Sequence, residues 1–396
     1  MEYRTIPGAD MSVSTVGLGC YGLGGAYGPA NPAAFARIIA RAREVGVTYY
    51  GTADQYGDAE EVLGQALRPF RREAVISTKA GLTADNGRDL SRAHVLEACD
   101  RSLRRLCTDH IDIYQVHFDD PKTPVTETVG ALEDLQKAGK IRHYGVGHLP
   151  PARVAEYLGF ADVKTVMIEL SAVARAAYGR TMTLRKSSGY DFGIIGFSTT
   201  GRGLLTGMIR EGHRFAAGDI RGIDPLFQGA KFRSGLRVAD KLAKVGAKFG
   251  KTGVQVAVAW VLALPGVVTA LVGPSRVDHL EENAGGADWT IPAEDLAAIN
   301  AFLDEEERLV AIEKRREIVG ILERGLSEDA ERASTDLVYV MEEFGEQGLV
   351  PETDLIPLFR TLLGARKTER GPDIAALRAV HAQLRAMTAA RSVSTE

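Results

Sequence analysis

Three side chains suited to proton transfer each stand at the close of a short apolar run: Tyr56 just beyond "VTYYGT", Lys79 in "AVISTKA" and His117 ending "IDIYQVH". A tyrosine phenol, with an ordinary pKa of about 10, needs a nearby cation to exchange a proton near neutrality, and a lysine supplies one. A histidine across the same site can orient or polarise a carbonyl oxygen. Taken singly, each has a plainer reading: a packed tyrosine with a solvated hydroxyl, a partly buried lysine, a structural histidine. Taken in this order, at matching places in successive runs, they point to one acid–base site. Later runs end on Gly147-His148, on Glu169 with Ser171, on Phe197-Ser198 and on Gly273-Pro274-Ser275-Arg276.

Such a set needs a scaffold that gathers strand ends. Eight apolar runs alternate with helix-period segments between residues 13 and 304: "STVGLG", "VTYYGT", "AVISTKA", "IDIYQVH", "IRHYGVG", "VKTVMIEL", "FGIIGFS" and "VVTALVG". Near-continuous Val/Ile content predicts strands covered on both faces, as parallel strands are. Between them, "NPAAFARIIARAREVG" offers Asn31 as N-cap, Pro32 as first helical residue, and an inner face of Phe35, Ile38, Ile39 and Ala42. "SRAHVLEACDRSLRRLC" sets Val95, Leu96, Cys99, Leu103 and Leu106 along another stripe. Eight strand–helix units predict an α/β fold of the (β/α)8 TIM-barrel type, whose catalytic groups lie at the C-terminal ends of strands. The rival, an open doubly wound sheet, would carry a glycine-rich turn opening a helix, with an acidic residue about twenty positions on. "GLGCYGLGG" imitates the turn without either companion and reads as a loop at the barrel mouth.

Residues 305–396 contain no strand-like run. "ERLVAIEKRREIVGILERGL" places Leu309, Ile312, Val319, Leu322 and Leu326 at helical spacing. "STDLVYVMEEFGEQG" has a Ser/Thr/Asp start, and "PDIAALRAVHAQLRAM" sets Ile374, Leu377, Leu384 and Met387 on one side. The division expected is a barrel over 1–304, an all-α extension over 305–390 and a disordered polar tail over 391–396. The apolar stripes could pack on the barrel or join two copies into a homo-oligomer. The net charge of −4 argues against a nucleic-acid partner. Three cysteines without metal spacing argue against a metal site or disulfide framework. The N-terminus lacks a signal-peptide core and no apolar run has membrane-spanning length, so a cytoplasmic protein with no membrane partner is expected.

The residues and their flanks resemble the aldo-keto reductase family, its bacterial and potassium-channel-β-like branch more than its mammalian steroid-reducing branch, from about residue 3 to residue 304. "TADQYGDAEEVLGQAL" resembles the segment carrying that family's catalytic tyrosine, here Tyr56. "VISTKAG" matches its lysine, Lys79, and "SLRRLCTDHIDIYQVHFDD" the signature ending in its histidine, His117. "GRGLLTG", "GDIRGIDPLF", "AVAWVLALPGV" and "VGPSRVDHLEENAGG" follow in the family's order. The resemblance implies an enzyme whose barrel binds NADP(H) in extended form and transfers hydride to a carbonyl of a small-molecule substrate, with the tyrosine as proton donor. It places Gly273, Ser275, Arg276, Glu282 and Asn283 at the adenosine end, with His279 where glutamine is frequent. Phe197 would lie against the nicotinamide, with Ser198 beside it. Arg276 and Ser275 at a helix start suit a 2′-phosphate.

The departures are concentrated in one pocket. Gly51 stands where the family has an aspartate that pairs with the lysine, so desolvation should lower the pKa of Lys79. Gly147-His148 replaces a serine–asparagine pair, Met167 a glutamine, and Thr199-Thr200 a proline–leucine pair. The first three positions normally contact the nicotinamide carboxamide. His148 becomes a further catalytic candidate. The leading expectation is an NADP(H)-dependent oxidoreductase acting on a keto or imine group in specialised metabolism. The alternatives are a barrel repurposed for elimination, isomerisation or cyclisation with Tyr56, His117 and His148 as its acid–base groups, and a regulatory binding subunit docking a partner through the C-terminal helices.

Overall fold

In a computed structural model, which describes residues 1–85, 87–346, 350, 352–366 and 373–392, the chain opens with an antiparallel hairpin of β1 (Tyr3–Thr5) and β2 (Ser12–Ser14). Eight parallel strands follow: β3 (Val16–Gly19), β4 (Tyr49–Gly51), β5 (Val75–Ala80), β6 (Ile111–Val116), β7 (Ile141–Gly147), β8 (Thr165–Glu169), β9 (Gly193–Phe197) and β10 (Val267–Val272). They close into a barrel in sequence order, with β10 pairing both β9 and β3. All eight apolar runs became these strands, and the (β/α)8 class is the one the sequence predicts.

Helices α1 (Pro32–Glu44), α2 (Ala59–Leu67), α3 (Arg92–Arg105), α4 (Val125–Lys137), α5 (Pro151–Phe160) and α6 (Ala176–Ser188) link successive strands. α7 (Gly229–Ala247) and α8 (Gly253–Leu262) join β9 to β10, and α9 (Val277–Ala284) and α10 (Ala293–Arg324) follow the last strand. The predicted start of α1 holds: the Asn31 side chain accepts from the Ala34 N–H, and Phe35, Ile38, Ile39 and Ala42 are buried. Inside the barrel Tyr49, Ile113, Met167, Ile195 and Leu271 share one apolar cluster with Ile6, Met11 and Val13 of the hairpin segment. The hairpin therefore contributes to the barrel core, a role not read from the sequence.

The chain divides into two compact units, residues 1–209 with 238–299, and residues 210–237 with 300–396. The expected boundary at 304 falls inside α10, which continues without a break. In the second unit α11 (Ala330–Glu346), α12 (Glu352–Arg366), α13 (Ile374–Ser392) and the later part of α10 enclose Ile318, Leu337, Phe344, Leu362, Leu377 and Leu384. Ile374 and Met387 pack beside this cluster, as their spacing predicts. On α10 Leu322 and Leu326 pack against this cluster as expected, whereas Ile312 and Val319 are 40% and 51% exposed. Ile318 is buried instead, together with Lys314, whose ammonium lies 2.7 Å from Glu343 and 3.1 Å from Glu342. α11 starts ahead of the Ser/Thr pair proposed to open it. The Asp329 carboxylate accepts from the Glu331 N–H, and the Ser334 and Thr335 hydroxyls donate back to the Ala330 and Glu331 carbonyls. Of the tail expected over 391–396, Arg391 and Ser392 close α13 instead, and residues 393–396 lie outside the described residues. Among the described residues no helix is long and apolar enough to cross a membrane, and no cluster of His, Cys, Asp or Glu could hold a metal ion.

Candidate active site

At the C-terminal ends of β4 to β7 the barrel brings Tyr56, Lys79, His117 and His148 together. Tyr56 follows β4 on a turn whose amide donates to the Ala53 carbonyl, and its hydroxyl lies 3.4 Å from Nε2 of His117. The Lys79 ammonium stands 5.0 Å from the centroid of the Tyr56 ring. His117 and His148 have ring centroids 5.6 Å apart, and the ring of Phe197 lies 4.6 Å from that of His148. His148, Ser198 and Arg202 all hold left-handed backbone, with φ of 50°, 57° and 51°. Such conformations in non-glycine residues carry strain that tends to gather at functional sites.

The electrostatics follow from crowding. Burial pushes the Tyr56 phenol above its ordinary value, so it is protonated at neutral pH. Burial, and then the charge of Lys79, holds His117 well below 6.5 and keeps it neutral, and its Nδ1 has no hydrogen-bond partner among the described residues. His148 is exposed through the open mouth, yet protein surrounds it on most sides; that desolvation, then Lys79, Arg88 and Arg202, lowers its pKa. The Lys79 ammonium is brought down to about 8, chiefly by burial.

The fate of the missing acid at position 51 is visible in the packing. A Cβ on Gly51 would meet Cδ1 of Leu271 at 3.2 Å and Cε1 of Tyr49 at 3.7 Å. The Leu271 side chain therefore crowds the space that a side chain at residue 51 would enter. Lys79 turns to a neutral partner and donates to the Thr52 carbonyl at 2.6 Å. Asp54 does not pair with it: among the described residues both carboxylate oxygens are buried without a hydrogen-bond partner, and burial and then Glu60 push this carboxyl up to about 7. Gly51→Asp alone is expected to destabilise the protein by about 1–3 kcal/mol, the cost of overpacking a filled core. Leu271→Ala in the same chain should recover part of that loss and let the new carboxylate reach Lys79. Denaturant melts of the single and double variants read this out; a fully tolerated Gly51→Asp would contradict the packing.

The remaining candidates fall in three places. Gly147 pairs with Met167 across β7 and β8, but the Met167 side chain is buried in the apolar floor and offers no hydrogen-bonding group. Thr199 donates to the Leu271 carbonyl at 2.9 Å, tying the β9 loop to β10. Beyond Gly273, Ser275 and His279 approach to 3.2 Å between Oγ and Nδ1 at the start of α9. Arg276 forms a two-point pair with Asp278, at 2.9 Å from Nε and 2.6 Å from Nη2. On α9 Asn283 is buried and Glu282 half-buried. Sequence reasoning missed Tyr21, whose ring lies 5.0 Å from that of Tyr56, and Phe118, stacked 4.5 Å from His148. Aromatic residues in "GCYGLGGAYG" and directly after His117 were the available signal.

Comparison with known proteins finds a family model, described as the aldo/keto reductase family, matching residues 15–304. The aldo-keto reductase YhdN of Bacillus subtilis is 33% identical over 315 residues, covering 77% of this chain and 94% of the relative. The fission-yeast (Schizosaccharomyces pombe) aldo-keto reductase yakc [NADP(+)] is 30% identical over 287 residues, covering 69% and 84%. Among solved structures, the glycerol dehydrogenase AKR11B4 from Gluconobacter oxydans superposes with a TM-score of 0.70 at 29% identity, over 77% of this chain and 95% of the other.

Proposed function

Since the chain belongs to the aldo/keto reductase family, an oxidoreductase family, we propose that it uses NADP(H) to reduce a carbonyl or imine group of a small molecule, with Tyr56 as proton donor. The observation that carries this reading is the Tyr56 hydroxyl 3.4 Å from His117 with the Lys79 ammonium beside its ring. Neutral His117 can orient the substrate oxygen through its ring nitrogen. Tyr56 then donates its O–H proton to that oxygen, and the Lys79 cation stabilises the tyrosinate left behind. Bound NADPH would supply the two electrons as hydride. A remodelled pocket of this kind suits a substrate of specialised metabolism.

The residues at the start of α9 fit the phosphate end of such a cofactor: Arg276 gives a fixed cation, Ser275 a hydroxyl, and the helix a favourable dipole. Gly273, His279, Glu282 and Asn283 would hold the adenosine, and Phe197 with Ser198 the nicotinamide. Among the carboxamide positions only His148 keeps a hydrogen-bonding side chain, so Gly147 can contribute backbone alone. The NADP(+) in the yeast relative's name supports the same cofactor. Arg276 is now held by Asp278, and a 2′-phosphate must compete for it. Arg276→Ala is expected to weaken NADPH binding by about tenfold in a fluorescence titration, while NADH binding changes little. Equal loss for both dinucleotides would remove Arg276 from 2′-phosphate recognition.

A second reading is favoured by Leu271 occupying the place of the missing acid. In that reading the barrel carries out elimination, isomerisation or cyclisation, with Tyr56, His117 and His148 exchanging protons. Titration with NADPH, NADH and their oxidised forms separates the two. Tight binding confined to the NADP pair supports the reductase, whereas no binding of any dinucleotide overturns it.

A further inference from the structure

With glycine at position 51, the buried ammonium of Lys79 has three N–H groups and, among the described residues, one acceptor, the Thr52 carbonyl at 2.6 Å. A buried ammonium needs acceptors for its other protons. Across the ladder from Lys79 on β5 stands Gln115 on β6, paired with it Cα to Cα. Residues paired in neighbouring strands send their side chains to the same face of the sheet. For Gln115 that face is the barrel interior, since Ile113, two residues earlier, belongs to the apolar cluster there. Gln115 is 1% exposed, and its Nε2 donates to the Ser77 hydroxyl at 2.7 Å, one inward position before Lys79. Its Oε1 is buried and has no hydrogen-bond partner among the described residues.

The two unsatisfied groups are complementary: an acceptor without a donor stands beside a cation with N–H groups left to give. The opposite amide orientation would set Nε2 against the ammonium, donor against donor. The Tyr49 hydroxyl, from β4 on the other side of β5, approaches Ser77 and Gln115 without a hydrogen bond to either. Other groups act on Lys79 through charge, namely the Cys20 thiol after β3 and the Asp54 and Glu60 carboxyls. The Tyr56 ring lies 5.0 Å from the ammonium, and His117 and His148 feel its charge from the far side. Among the described residues none of these groups makes a hydrogen bond to it. An amide oxygen facing an ammonium favours the charged form, as a carboxylate does, but with a dipole in place of a full charge.

We propose that Gln115 is a positioning residue for Lys79, its amide anchored by Ser77 so that Oε1 serves the ammonium in place of the carboxylate missing at position 51. Its part in catalysis rests on the reductase reading of the same site, whereas its hold on Lys79 is measurable without turnover. The full chain carrying lysine labelled with carbon-13 at Cε is titrated by NMR, and the Lys79 signal is assigned by its loss in Lys79→Met. Gln115→Met keeps the volume and removes the acceptor, and should lower the Lys79 midpoint by about one pH unit, the scale of one hydrogen bond to a charged group. Gln115→Glu supplies a full charge and should raise it by at least about as much. Ile113→Val, a packing change two residues away on β6, should leave it in place. An unmoved midpoint in Gln115→Met would overturn the proposal, as would an equal shift in Ile113→Val. Should Gln115→Met not fold, Gln115→Glu decides, and an unchanged midpoint there overturns it too. In parallel, NADPH oxidation with benzaldehyde is followed against pH, and its alkaline inflection should move with the lysine midpoint in each variant. If the midpoints move as expected while no form of the protein, native included, oxidises NADPH, the reductase reading fails and the hold of Gln115 on Lys79 stands.

Discussion

Tyr56→Phe is expected to lower turnover by about 10²- to 10⁴-fold, the range of a positioned general acid. The change removes one oxygen and leaves the ring in place, so the edge contacts of Tyr56 with Tyr21 at 5.0 Å and with His117 at 5.7 Å should persist. His117 and His148 cannot take over proton donation near neutrality, because burial and the nearby cations keep both imidazoles neutral. Asp54 is no substitute either. Its carboxyl can hold a proton near pH 7, but among the described residues neither of its oxygens has a hydrogen-bond partner. NADPH affinity and the melting temperature should therefore change little while the rate collapses. The measurement is steady-state turnover with an aromatic aldehyde, beside a dinucleotide titration of the same variant. Turnover within a few-fold of the native rate would remove Tyr56 from the chemistry and require another proton source.

The barrel was legible because its strands are buried on both faces. Runs such as Val75–Ala80 and Ile111–Val116 are wholly buried, and their Val and Ile residues mark them although Ser77, Thr78, Lys79, Asp112 and Gln115 interrupt the apolar character. The order of Tyr56, Lys79 and His117 was legible for the same reason, since strand ends converge once the barrel is known. What the chain hid depends on pairings far apart in sequence. Leu271 fills the space at Gly51 across more than two hundred residues, and nothing local to either announces the other. Likewise Ile312 and Val319 obey helical spacing yet lie outside, because Lys314 finds carboxylates on α11 and turns that face inward. The β1–β2 hairpin has three-residue strands, too short to show alternation. Tyr21 and Phe118 stand in the segments just after β3 and β6, outside the strands, and a ring there gives no periodic signal.

Lys79→Met should separate the two consequences of leaving a buried ammonium without a carboxylate. In the folded protein this ammonium titrates at about 8, against 10.5 when free. Below pH 8 both folded and unfolded chains hold the proton, and the folded state bears the full cost of the buried charge. Between about pH 8 and 10.5 the unfolded chain still holds it while the folded chain has released it, so native stability gains from this group as pH rises. Across that window the gain is on the order of 3 kcal/mol at about 1.4 kcal/mol per unit. The methionine variant lacks the group and should lack this component. Its stability relative to the native protein, read from urea melts at pH 7 and pH 10, should therefore fall as pH rises. Its turnover should be lower by about 100-fold at pH 7, because the tyrosinate loses its cation. Native turnover should itself decline as pH passes 8, and the variant should show no such inflection. If Lys79→Met keeps an inflection near pH 8, or keeps the native stability difference at both pH values, the lysine is not the titrating group. The role of Gly51 would then lie in shaping the Leu271 floor, with no bearing on the charge beside Tyr56.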